Sequence, residues 1–433
     1  MSQTAYTFLI FLVMIAGFFL AYWWGNKKKV PIGLYIFFAA IIGALAGGEG
    51  IPIRHLVEGA FTFLDIVAII ITASIFIVIQ RESGAMNIIV RDIISTFSGS
   101  TPLMLIVLMF FVMLPGAFTG SGTAAVMAVG GTIGIILTHL GLPKRNVTAF
   151  VAIGGILGLT APPINVPAMI IANGINMPYM GFFLPLILLT IPLGIIFALF
   201  YGSKYVERSI DPKPILDKIP ESSVKLGRFG AYFPITLVVG LFIFQNVFPG
   251  ILPILGNPLI FVIGTIPALL VSNKIDIIGN TKLSLKEVLP VCAILIAVGS
   301  LVQIMTLTGV RGFFVITALT APRVLVYIAL MIGLPLSGSV LGTYGSAAAF
   351  GVPLMLALLG TNPIVETAGI AFVCSLATLC PPSAIVGNAS IIVTKYDEPL
   401  IRFYKMLFIP AITISVIGVL MIIYSSQLKW LAS

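Results

Sequence analysis

Polar positions along this chain fall in narrow bands, and apolar positions fall in long runs between them. Runs of about 20 apolar residues match the length of a helix that crosses a bilayer. The pattern predicts an all-α polytopic membrane protein, with about ten crossings at that length and some shorter pieces. The first run, Thr7 to Trp24, is followed by Lys27, Lys28 and Lys29. A secretory signal carries its positive charge before the apolar run, so this reads as an uncleaved first helix. Further helices are expected near 30–47, 57–80 and 181–200.

The run from Pro102 to Leu140 is different. It spans 39 residues and holds "GAFTGSGTAAVMAVGG" near its middle, with basic loops expected on either side. Two full crossings would put Thr119 to Thr123 in an external turn, yet that stretch lacks ordinary turn chemistry. Two half-length arms meeting near mid-membrane fit better. Irregular backbone at that depth must be buried in protein or line a wet cavity, which predicts a re-entrant helical hairpin. The next run, Asn146 to Ile175, contains "GLTAPPIN". Two consecutive prolines remove amide donors and free the preceding carbonyls, so a break is expected there.

The second half repeats this plan. Gly141 to Pro162 and Gly360 to Pro381 each span 21 positions, and "MLPGAFTGS" has its counterpart in "GLPLSGS". "ESGAMNIIV" (82–90) likewise faces "LTGVRGFFV" (307–315). The expected organisation is a first repeat over 1–201, with scaffold helices in 1–100 and a hairpin and broken helix in 101–175. A basic cytoplasmic linker over 202–230 follows, then a second repeat over 231–433 with hairpin and break at about 322–395.

Charge orients these pieces. Basic clusters lie at Lys27–Lys29, Arg81 with Arg91, Lys144 with Arg145, Lys204–Arg228, Lys274–Lys286 and Lys395–Lys405. Placing all of them in the cytoplasm starts the chain outside and leaves the linker inside after five crossings. The halves would then be inverted-topology repeats, an arrangement of secondary transporters with the site at the midplane. Composition agrees: 59% of residues are hydrophobic and 9% charged, with mean hydropathy +1.17. The net charge of +9 follows from the cytoplasmic loops and does not point to nucleic acid. Three cysteines in apolar stretches indicate no disulfide framework, and two distant histidines no metal site.

The candidate chemistry is ion and solute binding. Dehydrated sodium takes carbonyl and hydroxyl oxygens, and a half-helix C-terminus supplies carbonyls with partial negative charge. Gly158, Leu159, Thr160 and Ala161 would face Ser121, Gly122 and Thr123. In the second half Ala377, Thr378, Leu379 and Cys380 would face Ser337, Gly338 and Ser339. Half-helix N-termini suit a carboxylate, with Thr119, Asn165, Asn173, Ser383 and Asn388 available to orient it. The alternatives are close helix packing for the tips, an ordinary kink for the prolines, and interhelical hydrogen bonds for the asparagines. Asp65, eight residues into the expected third helix, is either functional or an interface residue. Glu366 reads as a carboxylate at a helix start, and Arg311 and Arg323 as outer-side charges that attract anions or lie solvated. No cofactor beyond sodium as coupling ion is expected.

"GAFTGSGTAA", "APPINVP", and "LGTNP" followed by "CPPS" resemble the large membrane subunit of tripartite ATP-independent periplasmic (TRAP) transporters. The resemblance implies an elevator-type importer of a small organic acid, driven by sodium, in a bacterial cytoplasmic membrane. It also implies two partners besides the lipid bilayer, a small membrane subunit and an extracytoplasmic substrate-binding protein. The chain departs from the family in lacking the acid near each tip, where it has Ala124–Ala125 and Val340–Tyr344, and in having Cys380 for the usual Thr. A self-sufficient sodium- or proton-coupled carrier of the same superfamily is the alternative. An enzyme would need titratable groups at matched geometry, and the tips and breaks hold no Asp, Glu, His or Lys.

Overall fold

The computed structural model describes residues 2–26, 30–222, 224–248, 255–273, 275–358, 360, 362–381 and 383–432. Lys27–Lys29, Lys274, Thr361 and Pro382, all used in the sequence reading, lie outside the described residues. Among the described residues the secondary structure is entirely helical, and nine helices are long and apolar enough to cross a membrane. The protein is a multi-pass membrane protein.

In the first half, α1 (Gln3–Asn26) and α2 (Ile32–Ala46) lead to α3 (Ile53–Phe61) and α4 (Leu64–Glu82), then α5 (Ala85–Phe97). The first hairpin has α6 (Thr101–Thr119) as one arm. Its other arm is α7 (Gly122–Ala125), a π turn over Val126–Gly130 and α8 (Gly131–His139). The broken helix is α9 (Lys144–Thr160) and α10 (Val166–Gly174), followed by α11 (Phe183–Gly202).

After the short α12 (Lys213–Leu216), the second half follows a related order, with four helices before its hairpin where the first half has five. It opens with α13 (Gly227–Val247), α14 (Asn257–Val271), α15 (Ile277–Leu307) and α16 (Val310–Thr320). The second hairpin runs through α17 (Arg323–Ile328), a π turn, α18 (Leu334–Ser346), a second π turn over Ala347–Gly351, and α19 (Val352–Leu358). A broken helix of α20 (Pro363–Ser375), a 3-10 turn over Leu376–Leu379 and α21 (Ile385–Val393) precedes α22 (Leu400–Ile423).

Two packing groups result. Helices α1–α4 pack with α13–α16, crossing over so that α2 lies on α15 and α14 on α4. The hairpins and broken helices, with α11 and α22, pack with one another. Lipid is as apolar as leucine, so close van der Waals contact must hold such helices together. A methyl built on Gly59 would lie 2.6 Å from the Gly299 carbonyl oxygen, so α3 and α15 touch backbone to backbone. Aromatic clusters join the groups. Phe118, just before the first turn, sits 6.0 Å from Phe76 and 5.9 Å from Phe261. Phe350 of the second hairpin sits 5.0 Å from Phe314 and 6.0 Å from Phe11.

Three expectations change. Residues 83–97 are not a basic loop: α5 follows a left-handed Gly84 and turns one apolar face, including Met86, Val90 and Ile94, inward. Its charged face holds the linker. Arg91 donates to the carbonyls of Leu216 and Ile219 at 2.8 and 2.9 Å, and Asp92 pairs with Arg228 at 2.9 Å. The linker is thus clamped against α5, and α13 already begins at Gly227. Finally, the expected third helix is interrupted at Thr62–Phe63, which puts Asp65 in the first turn of α4 with an exposed side chain. There it complements the helix dipole.

Candidate functional site

The first hairpin turns at Gly120, whose φ of +61° a side chain would strain. Ser121 is extended and caps the second arm by accepting from the Ala124 amide at 3.3 Å. Thr119 donates to the Pro115 carbonyl at 2.7 Å. Gly122 is buried against α9 and α21, since a methyl there would lie 2.8 Å from both the Gly155 oxygen and a Val386 methyl. Thr123 is half-buried beside it. Gly158 is where α9 touches the arm α6, with a built methyl 2.5 Å from the Met113 carbonyl oxygen.

The first break spans 161–165. The Gly158 carbonyl accepts from Ala161 at 3.1 Å, and the Thr160 hydroxyl donates back to Ile156 and Leu157 at 3.1 Å. Asn165 closes the break. Its amide nitrogen donates to the Thr160 carbonyl, and its oxygen caps α10 through Ala168, both at 3.0 Å. Tyr179 adds a brace by donating to the Pro163 carbonyl at 3.1 Å and accepting from the Asn165 amide at 3.0 Å. Both polar atoms of the Asn165 side chain are thus engaged within the break.

The second hairpin does not turn at Ser337–Gly338–Ser339. The left-handed residue is Gly342 (φ +72°), so the three predicted tip residues lie in the arm before it. Ser337 spans the arms to Ser346 at 2.9 Å, and Ser339 donates to Leu336 at 2.6 Å. A methyl on Gly338 would meet that of Ala377, so this arm packs tightly on the end of α20. The turn instead places Thr343 and Tyr344 at the tip. Their signal was present in "SGSVLGTYGS", which holds two glycine–hydroxyl clusters. The Tyr344 hydroxyl crosses between hairpins and donates to the Gly120 carbonyl at 2.8 Å.

At the second break, the Ala377 carbonyl accepts from Cys380 at 3.2 Å and Thr378 donates to Ser375 at 2.8 Å. Cys380 is extended and half-buried. Ala384, in left-handed conformation, stands where the first half has Asn165, and no side chain caps α21. Exposed Asn388 donates to the Ser383 carbonyl at 3.1 Å. Among the described residues, the buried hydroxyls of Thr343 and Ser383 have no hydrogen-bond partner.

One main-chain contact recurs. The Ile164 amide donates to Ala117 at 3.0 Å, and the Ser383 amide donates to Ser339 at 3.2 Å. Each break is thereby pinned to the first arm of its own hairpin. Asn173 is apart from both sites, exposed near the end of α10. Glu366 lies in the first turn of α20, buried, accepting from Ser425 at 2.9 Å and the Gly360 amide at 3.3 Å.

No family model matches the chain, and no curated protein matches it. The TRAP resemblance thus stands on its motifs alone. Solved structures do match. The YdaH transporter of Alcanivorax borkumensis is 14% identical, with a TM-score of 0.56 over 87% of this chain and 89% of that one. MtrF of Neisseria gonorrhoeae, from a class of antimetabolite efflux pumps, is 13% identical, with a TM-score of 0.57 over 84% and 83%. The chain has the fold of these membrane transport proteins.

Proposed function

We propose that this chain is a secondary active transporter that carries a small organic acid together with sodium. The observation that carries the reading is the paired construction, hairpin and broken helix in each half, joined each time by the same amide-to-carbonyl contact. In this reading the halves are inverted repeats and the site lies between them. The unpartnered hydroxyls of Thr343 and Ser383 support an occupant at the second pair. A buried hydroxyl without a partner is costly, and an ion or carboxylate would supply one. Carbonyls at the ends of α9 and α20 would complete sodium coordination, with no titratable residue required. The hairpins and breaks would move together against α1–α4 and α13–α16, as an elevator does.

A second reading is favoured by "GAFTGSGTAA" and "APPINVP": the chain as the large subunit of a TRAP-type system. Uptake into proteoliposomes separates the two. A self-sufficient carrier works as the purified chain, whereas a tripartite system needs its small membrane subunit and extracytoplasmic binding protein.

The test of sodium coupling is thermal unfolding in sodium against potassium or choline at matched ionic strength. A ligand bound only by the folded state adds about 2.7 kcal/mol at a hundredfold excess over its dissociation constant. The expected result is a sodium-specific rise; the same melt in all three cations rules out sodium at these sites.

A further inference from the structure

Where α10 of the core meets α15, α16 and the α3–α4 interruption, the structure forms an open cavity of about 220 Å³. Thr62, Asn173, Asn176, Gln303 and Arg311 supply its polar lining, and no aspartate or glutamate among the described residues borders it. Arg311 is half-buried, and its Nη2 donates to the Gly174 carbonyl at 3.0 Å. Arg81 and Arg228 each face a carboxylate at 2.8–2.9 Å. Arg311 has none among the described residues.

We propose that this cavity is a binding subsite for a small carboxylate, held by Arg311 and the neighbouring amides. A half-buried guanidinium has lost part of its hydration, and a carboxylate restores it through two parallel charge-assisted hydrogen bonds. The contact to Gly174 fixes one corner of the guanidinium and leaves its other donors for a ligand. Asn173, Asn176 and Gln303 offer amide donors to a second carboxylate or a hydroxyl. The volume is below the roughly 300–1,000 Å³ of drug-sized sites, which favours a mono- or dicarboxylate of a few carbons. Asn173 stands eight residues beyond Asn165, about 12 Å along a helix, so this subsite is separate from the first break. Its walls come from both packing groups, so an occupant contacts each. The inference rests on the transport reading only for the class of solute.

The experiment is carboxylate titration of the full chain in nanodiscs, read as the thermal midpoint. Sodium acetate, succinate and benzoate are each compared with sodium chloride at equal sodium and ionic strength. At least one carboxylate is expected to raise the midpoint saturably. Arg311→Gln should weaken that binding tenfold or more, Arg311→Lys less, and Gln303→Leu severalfold. The two milder variants keep the test decisive where Arg311→Gln fails to fold. The proposal is overturned if none of the three carboxylates shifts the wild-type midpoint, or if the arginine and glutamine variants bind as tightly as wild type. It is equally overturned if Ser383→Ala abolishes the shift while Arg311→Gln leaves it unchanged, because the anion then sits at the second break. Carboxylate binding that depends on Arg311 without any sodium-specific rise supports the subsite and counts against sodium coupling alone.

Discussion

The first hairpin and break and the second are built to the same plan but finished differently. In the first, Asn165 bridges Thr160 and Ala168, and Ser121 caps its own helix. In the second, an alanine occupies the capping position, the helix ends in a 3-10 turn, and three buried hydroxyls, those of Thr343, Thr367 and Ser383, are without partners among the described residues. A satisfied network holds one conformation, whereas an unsatisfied polar group in a low-dielectric setting is costly until something binds it. The first pair thus closes its capping position with a side chain, and the second leaves its own uncapped.

The largest test of this contrast is at the asparagines. Asn165→Ala removes a helix cap, worth about 1 kcal/mol, and strands the buried Thr160 carbonyl, at a further 1–3 kcal/mol or so. A total loss of roughly 2–4 kcal/mol is expected from these two terms in thermal or denaturant unfolding. Asn388→Ala, at an exposed position, should stay within about 0.5 kcal/mol. Equal losses would mean that the two breaks are braced alike.

Next comes a substitution of opposite sign. Ala384 has φ +35°, a region that costs an L-residue roughly 1–2 kcal/mol. Ala384→Gly should therefore stabilise the chain by about 1 kcal/mol. Glycine at Asn165, which is extended, should destabilise it by losing the bridge to Thr160. A loss of stability in both variants would show that the second break is not strained.

Most of the first pair was legible in the sequence, and less of the second. Between 116 and 131 a single cluster combines glycine with hydroxyls, so the turn had one place to fall. The second hairpin offers Gly338 and Gly342 four residues apart, and composition cannot say which takes the left-handed conformation. Packing decides it, because Gly338 is needed against Ala377. Helix α5 was hidden because the face it turns to the linker carries Arg91 and Asp92, which read as loop charges. The interruption at Thr62–Phe63 has neither glycine nor proline, so Asp65 appeared deeper in its helix than it is. The cavity around Arg311 draws on five separate elements, and no local pattern announces such a site.

A smaller effect is expected at the bridge between hairpins. Tyr344→Phe keeps the ring and removes the hydroxyl that donates to Gly120. The loss should be about 0.5–1.5 kcal/mol, read as a lower melting midpoint. An unchanged midpoint would mean that the tips are not coupled through this bond.

The smallest expected change in stability is the one that bears most on function. Thr343→Val and Ser383→Ala each delete a buried hydroxyl that has no partner among the described residues. Without ligand nothing is broken, so each variant should melt within about 0.5 kcal/mol of wild type, or slightly higher. Ser121→Ala in the first pair should instead cost about 1 kcal/mol, because that hydroxyl caps a helix. The contrast is sharpened by repeating the melts in sodium. If Thr343 and Ser383 face an occupant, their variants lose the sodium-specific rise while keeping the basal midpoint. Ser121→Ala does the reverse, losing basal stability and keeping the rise. A sodium-specific rise that survives in both Thr343→Val and Ser383→Ala would mean that their missing partners are not ions.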